Sequence, residues 1–156
     1  MDSIRLEFSI TAARRWEVHQ MDVNNSFLHG DLSHEIYMEQ PQGFRKDSSL
    51  VCIMKKSLYD LKQAPRAWYA NMESYLLSQN FVQCKSDPNV YMLKTADSLL
   101  LLVLYVDDLM ITGSLNSTLA AVKMIFHDRF LMIDMGPLHF FLGLEISHDA
   151  SGIKLS

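Results

Sequence analysis

Three aspartates occupy positions where side chains leave a core: Asp22, late in the alternating stretch VHQMDV, and Asp107 and Asp108, directly after the apolar run LLLLVLYV. Three carboxylates brought together repel one another by several kcal/mol at ~4 Å if the effective dielectric is about 20. Such a group persists when protonated, when splayed into water, or when bridged by a cation. With only hard oxygen donors and no adjacent His or Cys, the cation selected is Mg²⁺ or Mn²⁺ rather than zinc. Two such ions a few Å apart clamp an in-line phosphoryl or nucleotidyl transfer, stabilising both attacking and leaving oxygens. The competing reading is an acidic hairpin turn and nothing more, because aspartate is a common turn residue. Spacing alone leaves both open. Other chemistry is poorly supported. His29, His34 and Glu35 beside Asp31 lack the HExxH spacing of a zinc helix, and His19, His127, His139 and His148 have no readable nucleophile partner. GxSxG, Walker A and GxGxxG are all absent from the chain.

The elements that must position the aspartates follow from periodicity. Ser3 to Trp16 reads as a helix and Val18 to Val23 as a strand. Ser26 to Leu32 is a turn broken by Gly30, and Glu35–Met38 and Val51–Met54 are short strands around PQGF. Pro65, tolerated as a first helical residue, opens a helix carrying Trp68, Met72, Tyr75, Leu76 and Gln79 that ends near Asn80. Val90–Lys94, Leu99–Val106 and Leu109–Thr112 are strands, and the last two, separated by Asp107 and Asp108, form a hairpin. Asn116 or Ser117 caps a second amphipathic helix with a stripe of Leu119, Val122, Ile125, Phe126 and Phe130. A last strand region is expected at Leu138–Ile146. Reduced to its core, the order is strand, helix, strand, strand, helix, strand. This is the α+β, ferredoxin-like split βαβ arrangement, with an antiparallel sheet and the helices on one face. In that topology the end of the first strand lies at the same sheet edge as the hairpin tip, which brings Asp22 to Asp107 and Asp108.

A chain of 156 residues that is 49% apolar and 21% charged buries one real core and is neither disordered nor collagen-like. The net charge of −4 excludes a wholly basic nucleic-acid glove. Arg45, Lys46, Lys55, Lys56, Lys62 and Arg66 nevertheless form a basic stripe against only Asp47 and Asp60, which suits a phosphate-facing groove or a solvated face. Cys52 and Cys84 imply neither a disulfide framework nor a zinc knuckle. No signal peptide is visible, and the longest apolar run, eight residues, is far short of a membrane span.

Tyr105-Val106-Asp107-Asp108 resembles the YxDD box of reverse transcriptases, and LLLLVLYVDDLMITG resembles the Ty-copia retrotransposon class. HQMDVNNSFLHGDLSHEIYMEQPQGF (19–44) resembles the first palm motif of that family, and KKSLYDLKQAPRAWY (55–69) its second. LMIDMGPLHFFLGLEI (131–146) resembles the segment leading into the primer grip. Four motifs in family order imply a reverse-transcriptase palm within a Pol polyprotein. Asp22, Asp107 and Asp108 are then the catalytic metal ligands for two Mg²⁺ or Mn²⁺ ions, joined by the Val23 carbonyl. Phe27 matches a steric gate against a ribose 2′-OH, with core packing as its other reading. Lys62, Gln63 and Arg66 match the motif facing the incoming nucleotide and template. Phe141, Leu142 and Gly143 match the primer grip, although the apolar pattern by itself makes Phe140, Phe141 and Leu142 core.

The resemblance also implies partners: an RNA or DNA template with primer, deoxynucleoside triphosphates and the remaining Pol domains, with no membrane. It places the protein in a cytoplasmic virus-like particle or the nucleus. The palm with part of the fingers is expected over residues 1–156, the upstream fingers, thumb and RNase H lying outside, so that the isolated chain is expected to be inactive. Three residues or groups depart from the family pattern and lower local positive charge: Asp60 for glycine, Asn24-Asn25-Ser26 for Lys-Thr-Ala, and Ile133 for lysine. They raise the alternative of a catalytically inactive remnant of an inserted element that retains only the fold. A ferredoxin-like interaction domain with an acidic turn would need all four motif matches to be chance.

Overall fold

A computed structural model describes residues 2–32, 34–59, 61–141, 143–149 and 152–155. In chain order the elements are α1 (Asp2–Arg14), β1 (Val18–Val23), a 3₁₀ turn (Ser26–His29), β2 (Tyr37–Glu39), β3 (Val51–Ile53), α2 (Ala64–Ser78), β4 (Val82–Gln83) and β5 (Val90–Lys94). There follow β6 (Leu99–Tyr105), β7 (Asp108–Gly113), α3 (Asn116–Phe130), β8 (Met132–Pro137), β9 (Phe140–Phe141), β10 (Leu144–Asp149) and β11 (Gly152–Leu155). They form two compact units, Met1–Asn24 with Leu76–Ser156, and Asn25–Tyr75.

The first unit is built on a six-stranded sheet in the order β4-β5-β6-β7-β1-β8. Its neighbouring strands pair antiparallel throughout. The side chains of β1 alternate between the sheet's two faces. Val18 joins a buried cluster with Phe8 of α1, Val103 and Met110. His19 and Met21, of opposite parity, line a cavity with Leu119 and Lys123 of α3. Helices α1 and α3 therefore lie on opposite faces, correcting the expectation that the helices share one. The reason is visible in β6, where Leu100, Leu101, Leu102, Val103 and Leu104 are all buried. A strand covered on both faces reads as a continuous apolar run rather than an alternating one.

Other boundaries shift for local reasons. Tyr105 pairs with Asp108, so β7 begins at Asp108 and the turn residues are Val106 and Asp107, one position earlier than the apolar run predicts. Pro65 is the second residue of α2, still within the first turn where a missing N–H costs no helical bond. Leu115 occupies the N-cap of α3 with no side-chain cap bond, so neither Asn116 nor Ser117 caps it. The last strand of the main sheet is β8, not Leu138–Ile146. MIDMGP disguises a strand because β8 is an edge with four of its six residues exposed, its register against β1 shifts between Gln20 and Met21, and Gly136 has φ 78°. The Leu138–Ile146 region contributes β9 and β10, which with β11 make a separate three-stranded sheet.

In the second unit β2 pairs with β3, Tyr37 opposite Ile53. The Ser57 N–H donates to the Gly30 carbonyl at 3.1 Å. Gly30 is required by crowding rather than handedness: its φ is −76°, but a Cβ there would meet the Trp68 nitrogen at 2.9 Å and the Ala67 Cβ at 3.0 Å. Gly30→Ala is expected to destabilise the chain by about 1–3 kcal/mol, the range for overpacking. Urea denaturation measures this, and an unchanged midpoint would show that α2 yields freely.

Candidate active site

Strand β1 carries Asp22 opposite Asp108 of β7 on one side and Ile133 of β8 on the other. The turn folds onto the same end of β1, the Val23 N–H donating to the Asp107 carbonyl at 3.2 Å. Residues far apart in sequence thus share one sheet edge, as the strand order requires. Val106 holds the turn at φ 52°, a left-handed conformation that costs a β-branched residue energy. Val106→Gly is expected to relieve that strain and raise stability by about 1 kcal/mol. A thermal melt reads the gain, and a lower melting temperature would show that the valine side chain contributes more than its backbone costs.

The electrostatics of the three acids are not neutral. The Asp22 carboxyl is raised above the usual aspartate range, first by burial and then by the charges of Asp108 and Asp107. Asp108 also accepts a hydrogen bond from the Gln20 side-chain amide, Nε2 to Oδ1, at 2.9 Å. Gln20 is absent from the sequence-level candidates, although the period of two along VHQMDV already puts it on the face of Asp22. Among the described residues no group of three His, Cys, Asp or Glu side chains is arranged to hold a metal ion. The backbones converge while the carboxylates do not form a closed cage. Oxygen-only donors with mutual repulsion nevertheless fit a hard divalent cation by their chemistry.

The remaining sequence candidates divide between the units. Phe27 is buried in the second unit, its ring edge against Tyr59 with centroids 4.6 Å apart. In the same unit Lys62 and Gln63 precede α2 and Arg66 lies in its first turn, all three exposed. The basic stripe there is partly neutralised, Arg45 pairing with Glu39 at 3.5 Å and Lys56 with Asp31. In the first unit Phe141 is buried in the cluster with Phe8 and Val18, as its apolar pattern suggested. Gly143 has φ 80° with open space where a Cβ would stand. Leu142 and Asp60 lie outside the described residues. Asn25 has φ 52° and ψ 47°, a conformation asparagine tolerates better than most side chains, which gives that departure from the family pattern a structural reason.

A cavity of about 420 Å³ lies on the opposite face, lined by Met21, Leu119, Lys123, Met132 and Asp134 among others. Within it Lys123 is already engaged, Nζ reaching Asp134 at 2.9 Å and His19 Nδ1 at 2.7 Å. The acids belong to the other face, and the cavity is not their substrate site.

Comparison with known proteins agrees with the geometry. The family described as reverse transcriptase (RNA-dependent DNA polymerase) matches residues 1–156. The chain is 40% identical over 156 residues to the retrovirus-related Pol polyprotein from transposon RE1 of Arabidopsis thaliana, covering 99% of this chain and 11% of that protein. It is 43% identical over 158 residues to the corresponding polyprotein from transposon TNT 1-94 of Nicotiana tabacum, covering 99% and 12%. Similarity extends to the transposon Ty1-BR Gag-Pol polyprotein of Saccharomyces cerevisiae, at 27% over 153 residues, covering 94% and 8%. The chain thus spans about one ninth of the plant relatives. No solved structure matches it.

Proposed function

The chain belongs to the reverse transcriptase (RNA-dependent DNA polymerase) family, and from that premise we propose that it supplies the catalytic palm of a copia-type retrotransposon polymerase, copying RNA into DNA. The observation that carries this reading is the register of Asp22 against Asp108 beside the Val106–Asp107 turn, which gathers the YVDD box and the first palm motif at one edge. The order β6-β7-β1-β8 supports the ferredoxin-like split βαβ palm, with α1 added on its other face. The match over the whole chain favours a polymerase domain over a remnant that keeps only the fold.

Asp22, Asp107, Asp108 and the Val23 carbonyl are the groups that would hold Mg²⁺ or Mn²⁺. When bound, such ions supply charge stabilisation for the attacking primer 3′-oxygen and the leaving pyrophosphate. The chain's own residues do the rest. Phe27 sets the room beside the sugar 2′ position, and Lys62, Gln63 and Arg66 face the triphosphate and template. Phe141 anchors the β9–β10 hairpin in the core, while Leu142 and Gly143 meet the primer strand. Partners are the primer–template, deoxynucleoside triphosphates and the other Pol segments, the palm and part of the fingers lying in residues 1–156. Among the described residues no helix is long and apolar enough to cross a membrane. The test is primer extension on an RNA template by a Pol polymerase carrying this chain. Deoxynucleotide incorporation with Mg²⁺ or Mn²⁺ is expected, and Phe27→Ala is expected to admit ribonucleotides. Absence of extension by the unaltered sequence would overturn the reading.

A further inference from the structure

We propose that Gln20 is a positioning residue that holds the Asp108 carboxylate for cation binding without neutralising it, an inference that rests on the polymerase reading above. Gln20 and Asp22 share a face of β1, and Asp108 is the direct cross-strand partner of Asp22. Asp108 is therefore the diagonal neighbour of Gln20, roughly 7–8 Å away between backbones, a span that a long side chain closes. The amide nitrogen does close it, at 2.9 Å from Oδ1.

The choice of donor matters. A lysine would also reach, as Lys123 reaches Asp134, but it would bring a full positive charge to a group that must attract a divalent cation. An asparagine is one methylene too short for a diagonal contact. A leucine or methionine would leave Asp108 to rotate freely beside the strained Val106–Asp107 turn. A neutral amide occupies one of the roughly four lone-pair sites of a carboxylate and leaves the others open. It also fixes the carboxylate rotamer, as partners of metal ligands generally do, and loss of such a partner typically lowers metal affinity about 10–100-fold.

Three substitutions test this in a polymerase carrying the chain. Gln20→Met keeps length and packing but removes the donor, and Gln20→Glu keeps shape but sets a like charge against Asp108. Asp108→Asn removes the carboxylate. The readouts are the Mn²⁺ concentration for half-maximal extension, KM for deoxynucleotide, melting temperature, and the side-chain amide NMR signal of Gln20 in the 156-residue chain. Gln20→Met is expected to raise the Mn²⁺ midpoint about 10-fold with KM and melting temperature little changed, and Gln20→Glu to raise it further. The Gln20 amide signal is expected to shift in Asp108→Asn. A mere packing role predicts that Met equals Gln and that the amide signal stays put, and either result overturns the proposal. Undiminished extension by Asp108→Asn would instead overturn the polymerase reading, and the positioning role with it.

Discussion

Asp108→Asn, made in a polymerase carrying this chain, is expected to lower primer extension by on the order of a thousand-fold or more while leaving the fold intact. The physical reason lies in where the carboxylate stands. It faces Asp22 across the β1–β7 ladder and lies beside the turn that carries Asp107. Asparagine preserves size and can still meet the Gln20 side chain, but it lacks the charge that would hold a divalent cation in the proposed site. Asp22→Asn is expected to lose extension to the same extent and to raise stability slightly, because burial first and then the charges of Asp108 and Asp107 disfavour the ionised Asp22 carboxyl. The pairing of lost activity with unchanged or raised melting temperature separates a catalytic acid from a structural one. Extension within about tenfold of the parent would mean that this edge is not the reaction centre.

Stability between pH 5 and 8 is expected to fall by on the order of 3 kcal/mol, with Glu7 as its source. Glu7 lies on α1 beside Phe8 and is only 4% exposed, and among the described residues neither of its carboxylate oxygens has a hydrogen-bond partner. Burial first, then the charges of Asp87 and Cys84, push its carboxyl up to about 8 from an ordinary 4.5. The folded chain thus holds a proton that the unfolded chain has released across that interval. Stability from this group is complete below about pH 4.5 and is lost as pH rises through about 8. Glu7→Met removes the titrating group and fits an apolar environment, so its stability is expected to stay flat over the same range and to exceed the parent's at pH 8. Urea denaturation at half-unit pH intervals measures both. Parallel curves for parent and variant would show that the buried carboxyl does not control this loss.

Much of the site was legible in one dimension. The alternation of VHQMDV determined that Gln20 and Asp22 share a face, because a strand has a period of two whatever surrounds it. The apolar run ahead of Asp107 determined that a buried strand delivers the acids to its end. The four motifs in order pointed to the copia-type reverse transcriptase family that the comparisons support. What tertiary structure decided were the facts set by partners rather than by neighbours in sequence. The turn at Val106–Asp107 follows from Tyr105 pairing with Asp108, and a register cannot be read from one strand alone. MIDMGP became β8 because β1 had an open side to pair with, despite a Gly-Pro ending that reads as a breaker. Phe141 and Glu7 are buried because α1 covers the sheet face opposite α3. The hydrogen bond from Gln20 to Asp108 was out of reach for the same reason: its two residues are 88 positions apart, and only the folded ladder makes them neighbours.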